Sequence, residues 1–470
     1  MTNKPGYFAK TAALYSFGAL FAQGINFIAG PVFSKFLTPA EYGASSNFLF
    51  WSLLIGTIVG LQVGSTINNA LISFKKNEIG SYIFSAVIIY PIVALLIGGV
   101  IYALREVVPK MTGMESYLIP IAIFTGLCIA TVNVTLALKV ALIQRRDYLV
   151  LLLIVSLTTF IMSLIFTLII DDKVLGRCVG YLIGYLAAAI LSVRYLSSIT
   201  SGRKGQLYNK LYILYAIPLA APLLLHEIFF LVMSQSNRVL LTHYSGLGAA
   251  GIFSLAYSLG SIGFILSGAI NNTWTPWYYS QRSNKLYQEI ENRYAILLNC
   301  FAIIIIILQL TLPASIIFFL GADYSNIAPL LPCVIAFGFF VTAFNLLANH
   351  AIYYKKTTLV TLASFISCVV SLAANTILLP VYGMYGASIA LLVSGVVLVA
   401  SMRFFVYRNK EATHMPVGSL MLASTAVLLS TALTTLTVGA WWTVITGAFL
   451  VMALSLYAYK KFKKQDYKVI

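Results

Sequence analysis

Acidic residues are scarce in this chain, which has 13 Asp and Glu among 470 residues against 30 Lys and Arg. Its four histidines lie far apart, and its five cysteines occur singly without any C-x-x-C spacing, so no recognisable metal or redox motif is present. The one adjacent acidic pair, Asp171 and Asp172, lies in a short segment between apolar runs. The sequence therefore predicts neither an enzyme nor a metalloprotein.

Long apolar stretches dominate the chain, since 60% of its residues are hydrophobic and only 9% are charged. About fourteen runs of roughly 20 apolar residues follow one another, from 11–36 to 441–459, and each is long enough to cross a bilayer. No polar stretch is long enough to form a soluble domain. We therefore expect an all-α integral membrane protein with about 14 transmembrane helices.

Basic residues are concentrated in alternate gaps between these runs. With a cytoplasmic amino end, the inner segments hold 23 of the 30 basic residues and six of the 13 acids, which accounts for the whole net charge of +17. The positive-inside rule then predicts an even number of spans with both termini in the cytoplasm. We interpret the excess of basic over acidic residues as a sign of membrane topology and of contact with anionic membrane lipids. Nucleic acid is not an expected partner.

Landmarks in the first half of the chain recur about 208 residues later. The matched positions are Gly43 with Gly251, Asn68 and Asn69 with Asn271 and Asn272, and Arg145 and Arg146 with Lys355 and Lys356. This duplication predicts an N-lobe of spans 1–6 (residues 1–205), a C-lobe of spans 7–12 (206–410), and spans 13 and 14 with a basic cytoplasmic tail (411–470). Because each repeat has an even number of spans, the two share one orientation, as in parallel-repeat transporters.

Glycine patterns in the chain predict close helix packing. Two ladders follow small-x-x-x-small spacing, namely Gly56, Gly60 and Gly64 in span 2 and Gly176, Gly180 and Gly184 in span 6. Gly246, Gly248 and Gly251 spell G-x-G-x-x-G, but they join two spans and do not lie in a βαβ unit. We therefore interpret this motif as a tight turn and not as a nucleotide site.

Four segments resemble a known family. They read NTILLPVYGMYGASIALLVS at 375–394, LTPAEYG at 37–43, SNRVLLTHYSGLGAAGIFSLAY at 236–257 and FFLGADYSNIAPLL at 318–331. Together they resemble the polysaccharide flippases of the MOP superfamily (Wzx type), over at least spans 1 to 12. The resemblance implies the MOP flippase fold, in which two six-helix lobes are related by a parallel repeat and two helices follow at the carboxyl end.

The same resemblance implies a function. It is the alternating-access transfer of an undecaprenyl-diphosphate-linked oligosaccharide from the inner to the outer leaflet of the bacterial cytoplasmic membrane, for O-antigen, capsule or exopolysaccharide assembly. A polysaccharide polymerase and a chain-length regulator would be partners. No cofactor is expected, but H⁺ or Na⁺ would be the coupling ion.

Span 7 carries the leading candidate residues. Glu227 and Arg238 are 11 positions apart, which places them within about 20° of one helix face and about 16 Å apart along the axis. Arg238 would hold the diphosphate or acidic sugars, or would extend to the headgroups. Glu227, with His226 beside it, would carry the coupling ion or would form a hydrogen bond between helices.

Other candidates for substrate binding are polar residues in or near the spans. Lys35, Lys139 and Arg177 lie near span ends, where each would bind substrate or extend to headgroups. Amides at Asn68, Asn69, Asn271 and Asn272 would bind sugar hydroxyls or cap and join helices, and Asn26 and Gln62 are further polar candidates. Trp274, Trp277, Tyr278 and Tyr279 are expected to form an aromatic belt at the inner interface.

Two other functions remain open. A multidrug and toxin extrusion exporter would share the two-lobed fold, although such exporters usually use an acidic residue in the N-lobe, and spans 1 to 6 have none in their interiors. A lipid scramblase or assembly scaffold would tolerate the loss of Arg238 and Glu227.

Overall fold

The computed structural model describes residues 5–75, 78–200, 208–320, 322–408, 415–436, 451–452 and 454, which are helical with short connections and contain no strand. The helices are α1 Pro5–Ser34, α2 Pro39–Gly60, α3 Ile67–Ser73, α4 Ile79–Val87, α5 Ile89–Ala103, α6 Val108–Thr112, α7 Leu118–Ala141, α8 Arg145–Ile169, α9 Lys173–Thr200, α10 Lys210–Gly260, α11 Ile262–Ser283, α12 Tyr287–Leu320, α13 Leu331–Tyr353, α14 Thr357–Arg408 and α15 Val417–Leu436. Short 3₁₀ helices lie at Val63–Thr66 and Ala322–Leu330. The all-α prediction is confirmed.

Ten segments of the described chain are long and apolar enough to cross a membrane. Two of them contain a break in the helical backbone, at Gly246 within α10 and at Gly383 within α14, where φ is positive. Gly246 thus forms the turn that the glycine motif predicts. The count of fourteen spans stays a prediction, because the run 441–459 lies largely outside the described residues.

The chain divides into two compact units, Met1–Gly251 and Ile252–Ile470. The first unit contains α1 to α9 together with most of α10, so the helix that contains Glu227 packs within it. The lobe boundary at residue 205 stays a prediction, since it describes the sequence repeat and not this packing.

The start of α2 follows from the segment LTPAEYG. Thr38 is the N-cap, and its hydroxyl accepts a hydrogen bond from the backbone amide of Glu41, whose carboxylate accepts one in return from the Thr38 amide at 2.7 Å. Pro39 occupies the first helical position, where its missing N–H costs nothing. This reciprocal cap fixes where α2 begins and therefore which residues face its neighbours.

The glycine ladders pack as predicted. Methyl groups added at Gly176, Gly180 and Gly184 would each meet the backbone of α8, so α8 and α9 lie in direct backbone contact. Gly56, Gly60 and Gly64 face α7 in the same way, mostly against its side chains. Close packing of α2, α7, α8 and α9 gives the first unit a rigid frame.

The second unit is built around α13, which is buried along almost its entire length. Its phenylalanines Phe337, Phe339, Phe340 and Phe344 are all 2% exposed or less. Gly338 of α13 approaches Gly263 of α11 so closely that neither position has room for a side chain. The start of α11 is thereby held against α13.

Candidate functional site

Helix α2 ends after Gly60 at two residues that are neither glycine nor proline. We call this point the break of α2. Leu61 and Gln62 both adopt left-handed backbone conformations, with φ of 46° and 51°, and the chain continues as the 3₁₀ turn Val63–Thr66 before α3. Such a conformation costs about 1–2 kcal/mol per residue and also leaves the last carbonyls of α2 without helical partners. Irregular backbone at membrane depth is tolerated where it lines a water-filled cavity.

A polar cavity of about 340 Å³ lies at this break, inside the first unit. Its wall is formed by α2 and the following turn, by α5 and α7, and by α10. The lining residues are Gly56, Thr57, Gly60, Gln62, Gly64, Ser65, Tyr90, Ala130, Asn133, Val134, Ala137 and Glu227. In a bundle this apolar, the convergence of hydroxyl, amide and carboxylate groups makes the cavity the candidate functional site of the first unit.

Glu227 supplies the one carboxylate among these lining residues and reaches the cavity from α10. Its helix is fixed against α2 by an apolar cluster in which Phe50 and Leu54 contact Val239, with Ile58 and Leu231 packed beside them. The neighbouring His226 makes a ring contact with Phe230 on its own helix, at 6.1 Å. Of the predicted site residues, Gln62 and Glu227 are therefore brought together.

Four polar lining residues escaped the sequence analysis, namely Thr57, Ser65, Tyr90 and Asn133. Tyr90 is 1% exposed, and its hydroxyl has no hydrogen-bond partner among the described residues. Single hydroxyl or amide groups in an apolar span give no periodic signal. Their shared feature, proximity to the break in α2, is visible only in three dimensions.

Arg177 is a buried cation in the first unit. Its guanidinium lies 4.5 Å from the ring centres of both Phe33 and Tyr42, and its Nη1 donates a hydrogen bond of 2.8 Å to Ser45 Oγ. Among the described residues, no carboxylate lies within ion-pair distance of it. Extension to headgroups is thus wrong for Arg177, because three helices enclose the side chain at 6% exposure.

The remaining predicted residues of the first unit are separate from the cavity. Lys139 is also buried and does not extend to headgroups, since its Nζ lies 3.4 Å from the ring centre of Tyr195. Lys35 is exposed, as are Asn68 and Asn69 on α3. Arg238 is half-buried on α10 and is not a cavity-lining residue, and the side chain of Asn26 lies outside the described part of the chain.

In the second unit, Asn271 takes part in an amide network. Asn349 Nδ2 donates to Asn271 Oδ1 at 2.7 Å, and the Thr275 hydroxyl donates to Asn349 Oδ1 at 3.0 Å. These bonds join α11 to α13, which agrees with the helix-joining alternative for Asn271. Asn272 is exposed.

The aromatic residues at the end of α11 are not a simple membrane belt, and that prediction is wrong for two of them. Trp274 and Tyr278 are 3% and 1% exposed, respectively. Tyr278 stacks on Trp274 with ring centres 5.8 Å apart, and its hydroxyl forms a 2.7 Å hydrogen bond with His350 Nδ1. Packing against α13 buries the faces that the sequence pattern suggested were lipid-facing.

Gly43 and Gly251 meet at a close helix crossing. A methyl group on Gly43 would strike the carbonyl of Leu247, and one on Gly251 would strike the carbonyl of Pro39. The two contacts are equivalent under the 208-residue shift, so a local two-fold axis passes between the two glycines. The crossing is reinforced by Asn47 Nδ2, which donates a 3.0 Å hydrogen bond to Thr242 Oγ1.

Hydrogen bonds to Asp172 also fix the connection between α8 and α9. The Tyr117 hydroxyl donates to Asp172 Oδ2 at 2.7 Å, and the Leu175 amide donates to Asp172 Oδ1 at 3.0 Å. Partial burial by itself would raise the pKa of Asp172, but hydrogen bonds from the Leu175 amide, the Tyr117 hydroxyl and the Val174 amide hold that pKa below its usual value. Asp172 therefore has a structural role at the start of α9.

The comparisons with known proteins agree with this geometry. The sequence profile described as "Polysaccharide biosynthesis protein" matches residues 8–281, which is more than half of the chain. The chain belongs to this family. The matched region contains α2, α5, α7 and the whole of α10, and hence all the residues that line the polar cavity. Comparison with curated protein sequences gives no match.

Solved structures of the MOP superfamily share the fold. The lipid II flippase MurJ in an inward closed conformation aligns with a TM-score of 0.70 at 16% identity, over 96% of this chain and 99% of that one. An inward-facing MATE-family multidrug resistance transporter of the MOP superfamily gives 0.65 at 12% identity, over 83% and 96%. A point variant of the Vibrio cholerae MATE transporter VcmN gives 0.59 at 15%, over 87% and 99%. This family member is thus a multi-pass membrane protein with the MOP fold.

Proposed function

We propose that this protein transfers an undecaprenyl-diphosphate-linked oligosaccharide from the inner to the outer leaflet of the bacterial cytoplasmic membrane by alternating access. It would supply repeat units for O-antigen, capsule or exopolysaccharide assembly, next to a polymerase and a chain-length regulator. Both termini would lie in the cytoplasm, in accord with the distribution of basic residues.

The observation that carries this proposal is the polar cavity at the break of α2, in a chain of the polysaccharide biosynthesis family. A lipid-linked oligosaccharide needs a wet path for its head while its tail stays in hydrocarbon. The cavity offers hydroxyl and amide groups for sugar hydroxyls, and the strained backbone at Leu61 and Gln62 is the kind of irregularity that persists at functional sites.

Arg177 is the residue best suited to attract the diphosphate in the first unit. Its buried guanidinium has no carboxylate partner among the described residues, which is costly, and an anionic substrate group would remove part of that cost. The rings of Phe33 and Tyr42 hold its plane fixed, which suits bidentate recognition of phosphate oxygens. Arg238 and Lys139 are further cations for this role.

The transport of substrate would be coupled to the movement of an ion at Glu227. In discontinuous membrane helices, unwound carbonyl groups commonly bind Na⁺, and carboxylates within spans commonly relay protons. Glu227 lines the same cavity as the last residues of α2, so its carboxylate is available there to either H⁺ or Na⁺. Its neighbour His226 would affect the charge of the same region.

A cation-coupled multidrug exporter is the second candidate, and one observation favours it. The sequence analysis counted the absence of acids in spans 1 to 6 against an exporter, yet Glu227 of α10 lies in a cavity otherwise lined by those spans. The first unit therefore has the carboxylate that such exporters use, although it comes from the seventh span.

The deciding experiment uses cells that make the glycan but lack this chain. A flippase predicts that single lipid-linked repeat units collect in the inner leaflet and that the wild-type chain relieves this accumulation. Glu227→Gln should fail to relieve it at equal expression, whereas Glu106→Gln, which removes an exposed carboxylate outside the cavity, should succeed. Normal surface glycan with new drug sensitivity would favour the exporter. Normal precursor transfer with lost polymerisation would indicate a scaffold.

A further inference from the structure

A second cavity, which the flippase proposal does not use, lies in the second unit between the end of α11 and the start of α12. It has a volume of about 640 Å³ and is widely open on one side. We call it the α11–α12 groove, and its lining residues are Thr273, Trp274, Trp277, Arg293, Ile296, Leu297 and Cys300. All of them belong to the second unit, so the groove is complete within it.

Polarity changes along this groove in the direction of the α12 axis. Arg293 and Trp277 occupy one end, where the Arg293 guanidinium lies 4.9 Å from the Trp277 ring centre. Ile296, Leu297 and Cys300 follow on α12, and Cys300 lies about 10 Å beyond Arg293 along the helix axis. The groove is charged and aromatic at one end and apolar along the rest of its length. This arrangement fits an amphiphile that has a polar headgroup and an acyl chain.

Glu289 does not line the groove, but its ion pair with Arg293 places a carboxylate beside the polar end. Arg293 Nη2 lies 2.9 Å from Glu289 Oε1, and the two side chains are 55% and 32% exposed. An exposed pair of this kind contributes little to stability, so both charged groups can exchange partners at low cost. A purely anionic ligand would match Arg293 but would meet the Glu289 carboxylate. A zwitterion with a phosphate and an ammonium group matches both.

The aromatic wall of the groove is held rigid from behind. Trp274 is 3% exposed, stacks on Tyr278 at 5.8 Å, and lies 6.2 Å from the Tyr294 ring. Trp277 in turn lies 4.9 Å from Trp274. A preorganised surface loses little side-chain entropy on binding, which favours an occupant that stays in place.

We propose that the α11–α12 groove binds a phosphatidylethanolamine molecule, whose phosphate contacts Arg293, whose primary ammonium contacts Glu289, and whose acyl chain lies along Ile296, Leu297 and Cys300. On the proposed topology this lipid belongs to the inner leaflet. A primary ammonium donates up to three hydrogen bonds to a carboxylate, whereas the quaternary ammonium of phosphatidylcholine donates none. The groove therefore discriminates between two zwitterionic lipids, and it does so whatever the protein transports.

Cys300 makes the test possible without adding a label site. It is exposed at the apolar end of the groove, whereas Cys128, Cys178, Cys333 and Cys368 are buried. The purified full chain in detergent, stripped of lipid, is treated with a small maleimide, and a Cys300→Ser variant identifies the groove signal. Phosphatidylethanolamine, phosphatidylcholine or phosphatidylglycerol is then added at matched chain length and concentration.

Phosphatidylethanolamine should slow Cys300 labelling at about tenfold lower lipid concentration than the other two, since one charge-assisted hydrogen bond is worth about 1.5 kcal/mol or more. Glu289→Gln should abolish the difference between ethanolamine and choline lipids, and Arg293→Gln should weaken protection by all three. Arg146→Gln, which removes an exposed arginine on α8, is the matched control and should behave as wild type.

Equal protection by the three lipids, or stronger protection by phosphatidylglycerol, would overturn the proposal. So would protection by a polyprenyl diphosphate but by no phospholipid, because the groove would then belong to the substrate path. Retained ethanolamine preference in Glu289→Gln would also refute it. The Glu289, Arg293 and Arg146 variants must each label Cys300 at the wild-type rate without lipid, and native mass spectrometry must count one bound lipid per wild-type chain after phosphatidylethanolamine is added. Neither measurement depends on transport activity.

Discussion

The crossing of Gly43 and Gly251 should act as a closed gate, and single methyl groups should open it. In each Gly→Ala variant the new methyl meets a backbone carbonyl, and a backbone atom cannot rotate away as a side chain would. The two segments must therefore separate or strain. Overpacking of this kind costs about 1–3 kcal/mol, which lowers the population of the closed crossing about 5- to 150-fold relative to an arrangement in which the segments are apart.

The assay measures the crossing itself. In a Cys300→Ser background, Asn47→Cys and Thr242→Cys replace two side chains whose polar atoms lie 3.0 Å apart, and the rate of their oxidative crosslinking reports closure. We expect Gly43→Ala and Gly251→Ala to reduce that rate by at least fivefold and to reduce glycan export with it.

Gly248→Ala is the matched control for this prediction. Gly248 is only three residues from Gly251, yet a methyl group there would meet no atom within 4 Å. Alanine is also the better helix former by about 1 kcal/mol, so this variant should be neutral or slightly stabilising. If all three variants crosslink and export alike, the contact is incidental packing and the gate interpretation is wrong.

Three further perturbations have definite outcomes. Arg177→Lys keeps the charge but loses the planar fork stacked between Phe33 and Tyr42, so export should fall at least about tenfold at equal expression, and the melting temperature should fall as well. Gly180→Ala should destabilise the fold by about 1–3 kcal/mol in a thermal melt, whereas Gly99→Ala, which has open space, should not. Because folding lowers the pKa of Asp172, its stabilisation is present above about pH 4 and is lost as the pH falls further. Asp172→Asn should therefore melt lower at pH 7 and lose that part of the acid sensitivity; an unchanged acid profile would contradict this.

The features that repeat along the sequence could be predicted from it. Apolar runs of membrane length indicated the all-α class, and the 208-residue shift paired Gly43 with Gly251, which the structure brings into contact. The ladder at Gly176, Gly180 and Gly184 predicted the tight packing of α9. Each of these signals depends on spacing along a single helix or on a copy elsewhere in the chain.

The cavity could not be predicted, because the residues at the break of α2 are not types that usually interrupt a helix. Leu61 and Gln62 are ordinary helix formers, so their residue types do not indicate the left-handed conformations that they adopt. The burial of Arg177 depends on Phe33 and Tyr42 coming together from two other helices. For the same reason Glu227 could be chosen as a candidate, but the groups that it faces could not.

Helices α2 and α10 meet at both the gate and the cavity, and this arrangement makes communication between the two sites testable. Gly43 is near one end of α2, and the break after Gly60 is about 25 Å away along its axis. Independent sites so far apart have additive effects on stability and on conformational equilibrium. If α2 and the part of α10 before its break at Gly246 move as one body through their apolar contact, the charge on Glu227 changes the closure of the crossing. The crosslinking rate should then respond to Glu227→Gln alone, and the double variant Gly43→Ala with Glu227→Gln should deviate from the sum of the single effects by more than about 0.5 kcal/mol. Strict additivity would mean that the cavity and the gate work separately.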